Sequence, residues 1–246
     1  MARMARPVLE GVPHHITQRG NRRQRVFFCD EDYQTYLSLL KTYCCLGEVE
    51  IWAYCLMPNH VHLVVVPNDK EQLARSIGEV HRKYTRYINF RENWKGYLWQ
   101  GRFSSNPMDE AYLHSTVRYV ELNPVKAGLV HSAEDWRWSS ARAHLAKQND
   151  GIVSVWPMLE RIGDWPKYLL NNHSEARNEL IRLHTRTGRP LGSDSFVKKL
   201  EHRCGKSLRP GKPRVRRQMW NRSVLCPQNS PELRTQNSEL IRTNQN

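Results

Sequence analysis

Apolar residues recur at regular intervals along the first half of the chain and divide it into short elements. Continuous or alternating apolar runs predict strands, whereas apolar positions three and four residues apart predict helices. Asp30 or Glu31 begins the first helix, Gly47 ends it, and Asp109 caps the last. The predicted elements are strands at 12–17, 49–56, 61–66 and within 97–108, and helices at 30–47, 71–93 and 110–123.

These elements follow the order β-α-β-β-α-β-α, and the first six define a ferredoxin-like arrangement. We therefore predict an α+β protein whose antiparallel sheet carries helices on one face, within a domain at 1–127. A basic, mostly helical extension is predicted at 128–217, and the polar residues 218–246 are expected to be disordered. Because the sheet is complete by about residue 127, we expect a chain cut after Trp138 to fold.

Positive charge changes this picture, because it indicates a partner. The 246 residues include 38 Lys and Arg against 24 Asp and Glu, a net charge of +14. Between Arg182 and Arg217 there are twelve basic and two acidic residues, a net charge of +10. Such density favours a phosphate backbone, since the segment lacks the apolar face of a membrane-binding helix. A solvated basic segment without a partner is the alternative.

Composition also limits the compartment and the chemistry. No apolar run approaches the roughly 18 residues of a membrane helix, and no signal-peptide pattern precedes Pro7. The six cysteines form no C-x-x-C pair, which argues against a zinc knuckle or a dithiol redox site. We expect a cytoplasmic protein with reduced cysteines.

Two histidines, His60 and His62, begin an otherwise apolar strand. Side chains at i and i+2 of a strand project from the same face, so the two imidazoles lie side by side while Val61 faces away. This pair suits a divalent metal ion. Two histidines on a solvated sheet face are the alternative. A cupin-type site would need a glutamate within 63–67, where there is none.

Tyr119 and Asn123 lie on one flank of the last predicted helix, beside its buried stripe. Their spacing places a phenol and an amide oxygen on adjacent turns, and Pro124 predicts that the helix ends there. The amide can supply a third metal ligand. A phenol is a poor nucleophile, but it can attack a phosphodiester whose oxygens a metal ion polarises. Packing alone is the alternative for this tyrosine.

Several segments together resemble a known family. Met57–His62 resembles the histidine-hydrophobic-histidine motif of the HUH endonucleases, and Tyr119–Val125 resembles the catalytic-tyrosine segment of single-tyrosine transposases. Gly11–Asn21 and Thr187–Gly192 are similar to segments of one branch, the REP-associated tyrosine transposases. The resemblance covers about residues 7–217.

That resemblance implies a ferredoxin-like (RRM-like) catalytic domain that binds and cleaves a repetitive extragenic palindrome as single-stranded hairpin DNA. It implies that Tyr119 becomes joined to the 5′ phosphate and leaves a free 3′ hydroxyl. His60, His62 and Asn123 would hold Mg²⁺ or Mn²⁺, and such ligands would also accept Zn²⁺. A monomeric, nucleoid-associated bacterial protein is expected.

The residues expected to contact DNA are basic or amide side chains beside the first strand and in the extension. They are Arg19, Asn21, Arg22 and Arg23, followed by Arg189, Lys198, Lys199, Arg209, Lys212, Arg214, Arg216 and Arg217.

Three other functions compete with cleavage. A hairpin-binding regulator on the same scaffold that no longer cuts explains the charge equally well, but not the histidine pair with its tyrosine and asparagine. An RNA-binding protein would use exposed aromatics such as Trp52 and Tyr54 on the central strands. A small-molecule metal hydrolase gives the charge of +14 no role.

Overall fold

The computed structural model describes residues 7–171 and 175–209. Its strands form one antiparallel sheet in the order β2-β3-β1-β4. The strands are β1 His14–Arg19, β2 Val49–Met57, β3 His60–Pro67 and β4 Ser104–Pro107. The helices are α1 Asp30–Leu46, α2 Lys70–Arg91, α3 Glu110–Glu121, α4 Asn123–Lys126, α5 Ala141–Ala146, α6 Trp156–Ile162, α7 Trp165–Leu170, α8 Glu175–Thr187 and α9 Asp194–Cys204.

This architecture confirms the predicted α+β class with its antiparallel sheet. The main local difference follows α3, where Pro124 was expected to end helical structure. Instead, Pro124 lies in the first turn of α4, a position at which proline needs no amide hydrogen bond. No described helix is both long and apolar enough to cross a membrane.

The two faces of the sheet carry different helices. Thr17 pairs with His62 and His15 with Val64, so these side chains share one face. Gln18 projects from the other face, where it borders a groove together with α2 residues. The helices α1 and α2 cover this second face, as predicted. By contrast, α3 lies on the histidine face, because its Tyr119 ring contacts His62. The fold thereby brings the tyrosine to the histidines.

The extension covers both edges of the sheet. Beside β2, the Leu56 amide donates to the Trp138 carbonyl at 2.8 Å, and Ser140 donates to Tyr54 at 3.0 Å. Beside β4, the Leu191 amide donates to the Pro107 carbonyl at 2.8 Å. Edge backbone groups need partners, and these segments supply them.

The extension is therefore part of the packed core rather than an appendage. The described residues up to Arg209 form one compact unit. The expectation that a chain cut after Trp138 folds stays a prediction, and such a cut would remove Ser140 and the helices beyond it, which complete the β2 edge and the core. The predicted boundary at residue 127 does not separate two packing units. The assignment of different functions to the segments before and after it stays a prediction.

Burial of His14 in β1 gives the stability of the fold a pH dependence. The side chain is fully buried, its Nε2 accepts from the Leu9 amide at 3.4 Å, and burial lowers its pKa to about 4. The unfolded state, with a pKa near 6.5, therefore binds the proton more readily. The stabilising contribution is complete above about pH 6.5 and is lost as the pH falls towards about 4.

We expect this group alone to lower the free energy of unfolding by about 2 kcal/mol between about pH 7 and about pH 5. Urea denaturation of the wild type and of His14→Gln, in chelator, measures the difference between them at each pH. That difference should shrink by about the same amount on acidification. A difference independent of pH would contradict the neutral, buried state of His14.

Candidate active site

The two histidines of β3 are held by different hydrogen bonds. His62 Nδ1 lies 2.9 Å from His15 Nε2, and the two rings stack with their centroids 5.2 Å apart. His60 Nδ1 lies 2.6 Å from the Asn59 Oδ1, which can only accept. The Nε2 atom of His62 is buried and has no hydrogen-bond partner among the described residues. Each ring is thus oriented through its Nδ1, as in many metal-binding histidines.

Both imidazoles are neutral at ordinary pH. Burial, with a smaller effect of Arg19, lowers the pKa of His60 to about 3, and burial also holds the pKa of His62 well below its usual value. A neutral imidazole with an unpaired nitrogen is the form that ligates a metal. The His60 and His62 pair therefore fits a divalent ion in its donor chemistry.

Tyr119 lies over this pair on α3. Its ring contacts the His62 ring edge-on, with centroids 5.6 Å apart, and it lies 6.4 Å from the His15 ring in the same geometry. The Lys126 ammonium lies 5.6 Å from the centroid of the Tyr119 ring. The phenol and the histidines accordingly share one site, although they are 57 or more residues apart in sequence.

A basic cavity of about 790 Å³ surrounds these groups. Its walls come from β1, the loop before β4, α3 and α8. The lining residues are Thr17, Gln18, Arg19, Arg23, His60, His62, Gln100, Arg102, Ser104, Tyr119, Glu179, Arg182, Thr185 and Arg186. Five arginines beside a phenol and two neutral imidazoles make a site suited to a phosphate.

Comparison with known proteins shows which proteins this chain resembles. Residues 9–123 match the family described as IS200-like transposases. The match spans 115 of the 246 residues of this chain. A provisionally named REP-associated tyrosine transposase of Haemophilus influenzae is 31% identical over 102 residues, which cover 37% of this chain and 58% of that protein. The REP-associated tyrosine transposase of Escherichia coli K12 is 25% identical over 99 residues, or 40% of this chain and 58% of that protein.

A solved structure of a REP-associated tyrosine transposase bound to a REP hairpin has the same fold. The match has a TM-score of 0.52 at 21% identity and covers 63% of this chain and 92% of that one. The chain spans 58% of the length of the two curated relatives. These matches confirm the resemblance that the sequence motifs indicated.

Asn123 begins α4, one helical turn after Tyr119. It is half-buried, and its backbone carbonyl accepts from Ala127 at 3.0 Å. Asn123 is not one of the described residues that line the basic cavity. No group of three or more His, Cys, Asp or Glu side chains is placed to hold a metal within the described ranges. The role of Asn123 as a third ligand stays a prediction.

The arginine loop after β1 reaches the basic cavity in part. Arg19 and Arg23 line it, whereas Arg22 is exposed and Asn21 half-buried. Arg22 and Arg23 both adopt left-handed backbone conformations, with φ of 51° and 63°. The Asn59 side chain donates to the Arg23 carbonyl at 3.1 Å and so ties this unusual loop to the turn before the histidines. Such conformations cost energy and concentrate at functional sites.

Only part of the predicted basic surface is described. Lys198 and Lys199 are exposed on α9, and Arg189 is half-buried. Arg209 forms ion pairs with Asp194 and Glu201 at 3.5 and 3.8 Å, which reduces its availability to phosphate. The predicted residues that lie outside the described ranges are Lys212, Arg214, Arg216 and Arg217.

Sequence reasoning missed the contribution of α8 to the cavity. Arg182 and Arg186 are one helical turn apart on this helix and both line the cavity. Glu179 and Glu175, and then Tyr119, raise the pKa of Arg182. The signal was present as the i, i+4 spacing of these two arginines, but nothing in the sequence indicated which helix they would face.

Glu121, two residues after Tyr119, is a second residue that the sequence analysis missed. It is fully buried and accepts from Ser140 Oγ at 2.6 Å and from Trp165 Nε1 at 2.9 Å, and its Oε1 lies 2.6 Å from His144 Nδ1. These partners all come from the extension. Glu121 thereby fixes the rotation of α3, and with it the direction of the Tyr119 side chain.

We expect Glu121→Ala to destabilise the protein by roughly 3–5 kcal/mol, because three buried partners lose their acceptor. Urea denaturation gives the value. Glu110→Ala on the same helix is the control, since Glu110 is exposed and its ion pair with Arg161 should contribute less than about 1 kcal/mol. Equal losses from both variants would contradict the account of Glu121.

Proposed function

We propose that this chain binds hairpin-forming palindromes as single-stranded DNA and cleaves them with Tyr119 as nucleophile. The observation that carries the proposal is the position of the Tyr119 ring, 5.6 Å from that of His62, in a cavity with five arginines. Support comes from the relatives, which are REP-associated tyrosine transposases, one of them bound to a REP hairpin.

The reaction exchanges one phosphate ester for another. The arginines that line the cavity bind the scissile phosphate and hold it in line with the Tyr119 hydroxyl. A bond forms between the phenolic oxygen and phosphorus while the bond from phosphorus to the 3′ oxygen breaks. The phenolic proton passes to the departing oxygen. The products are a 5′-phosphotyrosine and a free 3′ hydroxyl, and attack by a 3′ hydroxyl reverses the step.

Arg182 is suited to assist the phenol. After Glu179 and Glu175, Tyr119 also contributes to the raised pKa of Arg182, and both residues line the basic cavity. A guanidinium beside the phenol would stabilise negative charge on the phenolic oxygen as the proton leaves. Because Glu175 and Glu179 also bind Arg182, they hold its guanidinium beside the phenol.

The donor chemistry of His60 and His62 fits a divalent ion, for which we propose Mg²⁺ or Mn²⁺, with Asn123 as a predicted third ligand. When bound, the ion would polarise the phosphate oxygens and stabilise the charge of the transition state. His15 orients the His62 ring through the hydrogen bond to its Nδ1 and leaves its Nε2 without a hydrogen-bond partner among the described residues. We further propose a monomer that works in the bacterial nucleoid.

The RNA-binding alternative loses support in the structure. Trp52 and Tyr54, which would have to stack on bases, are only 8% and 3% exposed.

The chemistry of the DNA ends tests the proposed reaction. A single-stranded palindrome is incubated with the protein and Mn²⁺, and the shortened product is offered to a DNA polymerase on a template. We expect extension, because cleavage leaves a free 3′ hydroxyl. A product that can be extended only after phosphatase treatment carries a 3′ phosphate and would overturn the proposed direction of cleavage. An uncut palindrome that still binds would favour the non-cleaving regulator.

A further inference from the structure

A second concave region lies beside the active site and joins it to the far end of α2. Its volume is about 440 Å³, and Gln18 and Arg102 border both this groove and the basic cavity. At its other end, Arg82 and Thr85 border both the groove and a shallow depression of about 760 Å³. Shared lining residues therefore connect the basic cavity, the groove and the depression in one series that runs from the Tyr119 site to the end of α2.

Exposed aromatic side chains lie at that far end: Phe90 and Trp94 border the depression, and Tyr97 follows Trp94 by three residues. We name Phe90, Trp94 and Tyr97 the aromatic platform; they are 90%, 42% and 86% exposed. The Trp94 ring packs edge-on against Phe28, with centroids 5.7 Å apart, which steadies it. Exposure of large apolar rings costs free energy in water, so a cluster of them marks a binding surface.

Positive charge accompanies the aromatic rings along the whole path. Arg82, Lys83 and Arg86 of α2 border the depression, and Arg102 borders the groove. Arg82 forms an ion pair with Glu79 at 2.5 Å, but the exposed Arg86 and Lys95 add further positive charge. Alternation of basic side chains with exposed aromatic rings is the chemistry of a single-strand nucleic-acid surface, in which phosphates meet cations and bases stack.

We propose that single-stranded DNA flanking the scissile phosphate leaves the active site through this groove and stacks on the aromatic platform. The inference rests on the proposed function only in placing the scissile phosphate at Tyr119. Single-stranded DNA fits better than a folded protein partner, because the path carries basic side chains and exposed aromatic rings and begins at a cavity lined by five arginines.

Binding measured in a Tyr119→Phe background tests the groove without interference from cleavage. Fluorescence anisotropy gives the affinity for oligothymidylates of about four to about sixteen nucleotides, a range that covers typical single-strand sites. We expect the affinity to rise with length. The double variant Phe90→Ala/Tyr97→Ala should bind the longest probe roughly tenfold more weakly and the shortest probe unchanged. Its control is Leu46→Ala/Leu170→Ala, which removes two exposed apolar side chains outside the platform. Leu46 is 75% exposed and Leu170 is 83% exposed.

A blocking variant tests the connection between the two ends of the path. Gly78 lies on α2 and borders the groove, and a Cβ added there meets no atom within 4 Å. Gly78→Leu should fill the groove while favouring the helix, and Gly78→Ala is the matched control. We expect the leucine variant to weaken binding of the longest probe and the alanine variant to leave it unchanged.

The results separate this inference from the proposed function. A length dependence that is the same in the wild type, the platform variant and Gly78→Leu would overturn the groove, even if Tyr119 still forms an adduct with DNA. The opposite result is a wild type that forms no adduct with DNA, together with a length dependence that is present in the wild type and lost in the platform variant. This result would overturn the cleavage proposal and leave the groove in place.

Discussion

Replacing Tyr119 with phenylalanine is expected to abolish cleavage while leaving DNA binding nearly unchanged. The substitution removes the hydroxyl that attacks phosphorus and keeps the ring that packs against His62 and His15. Loss of a covalent nucleophile lowers the rate by at least roughly a thousandfold. Single-turnover cleavage of a labelled hairpin, together with its affinity by anisotropy, measures both parts of this prediction.

Tyr112→Phe is the matched control for this variant. Tyr112 lies on the same helix, seven residues earlier, and its ring packs under the Arg177 guanidinium at 5.2 Å. We expect it to cleave at close to the wild-type rate. If Tyr119→Phe still forms an adduct with DNA and Tyr112→Phe does not, the nucleophile is Tyr112 and the assignment of Tyr119 is wrong.

The second large effect is expected from His62→Ala. Its Nε2 is buried and has no hydrogen-bond partner in the part of the chain that the structure describes, so its burial costs free energy unless a ligand binds there. We expect the Mn²⁺ concentration needed for half-maximal cleavage to rise by at least about 100-fold, or cleavage to be lost. His15→Ala, which removes the partner of His62 Nδ1, should give a smaller increase of about tenfold.

His131→Ala provides the control, because His131 is an exposed histidine that is not among the described residues lining the cavity. It should require the same Mn²⁺ concentration as the wild type. A His62→Ala variant that needs no more metal than His131→Ala would show that the histidine pair does not hold the ion.

The sequence predicted those features that depend on local pattern. Side chains alternate between the two faces along a strand, and this placed His60 and His62 of β3 on one face. The order of the elements indicated the sheet. The motif containing Tyr119 identified the helix that carries the phenol. These predictions were possible because side-chain direction within a strand or helix follows from its period alone.

Features that depend on contacts between distant segments could not be predicted in this way. The pairing of Trp138–Ser140 with β2 and of Leu191 with β4 has no periodic signature, so the extension appeared separable from the core. Similarly, the sequence shows Glu121 only as a polar residue on a helix. Its structural role depends on buried partners from the extension, which the sequence pattern does not indicate. The third metal ligand is the remaining open point, since the amide of Asn123 was assigned by spacing alone.

The most direct test of the central claim is a covalent adduct between this chain and single-stranded DNA. The wild-type protein is incubated with a labelled palindrome and Mn²⁺, denatured, and separated by size, and the labelled peptide is identified by mass spectrometry. We predict a denaturant-resistant complex whose DNA is attached to the peptide that contains Tyr119. Binding of the palindrome without any such complex, or attachment at another residue, would contradict the account.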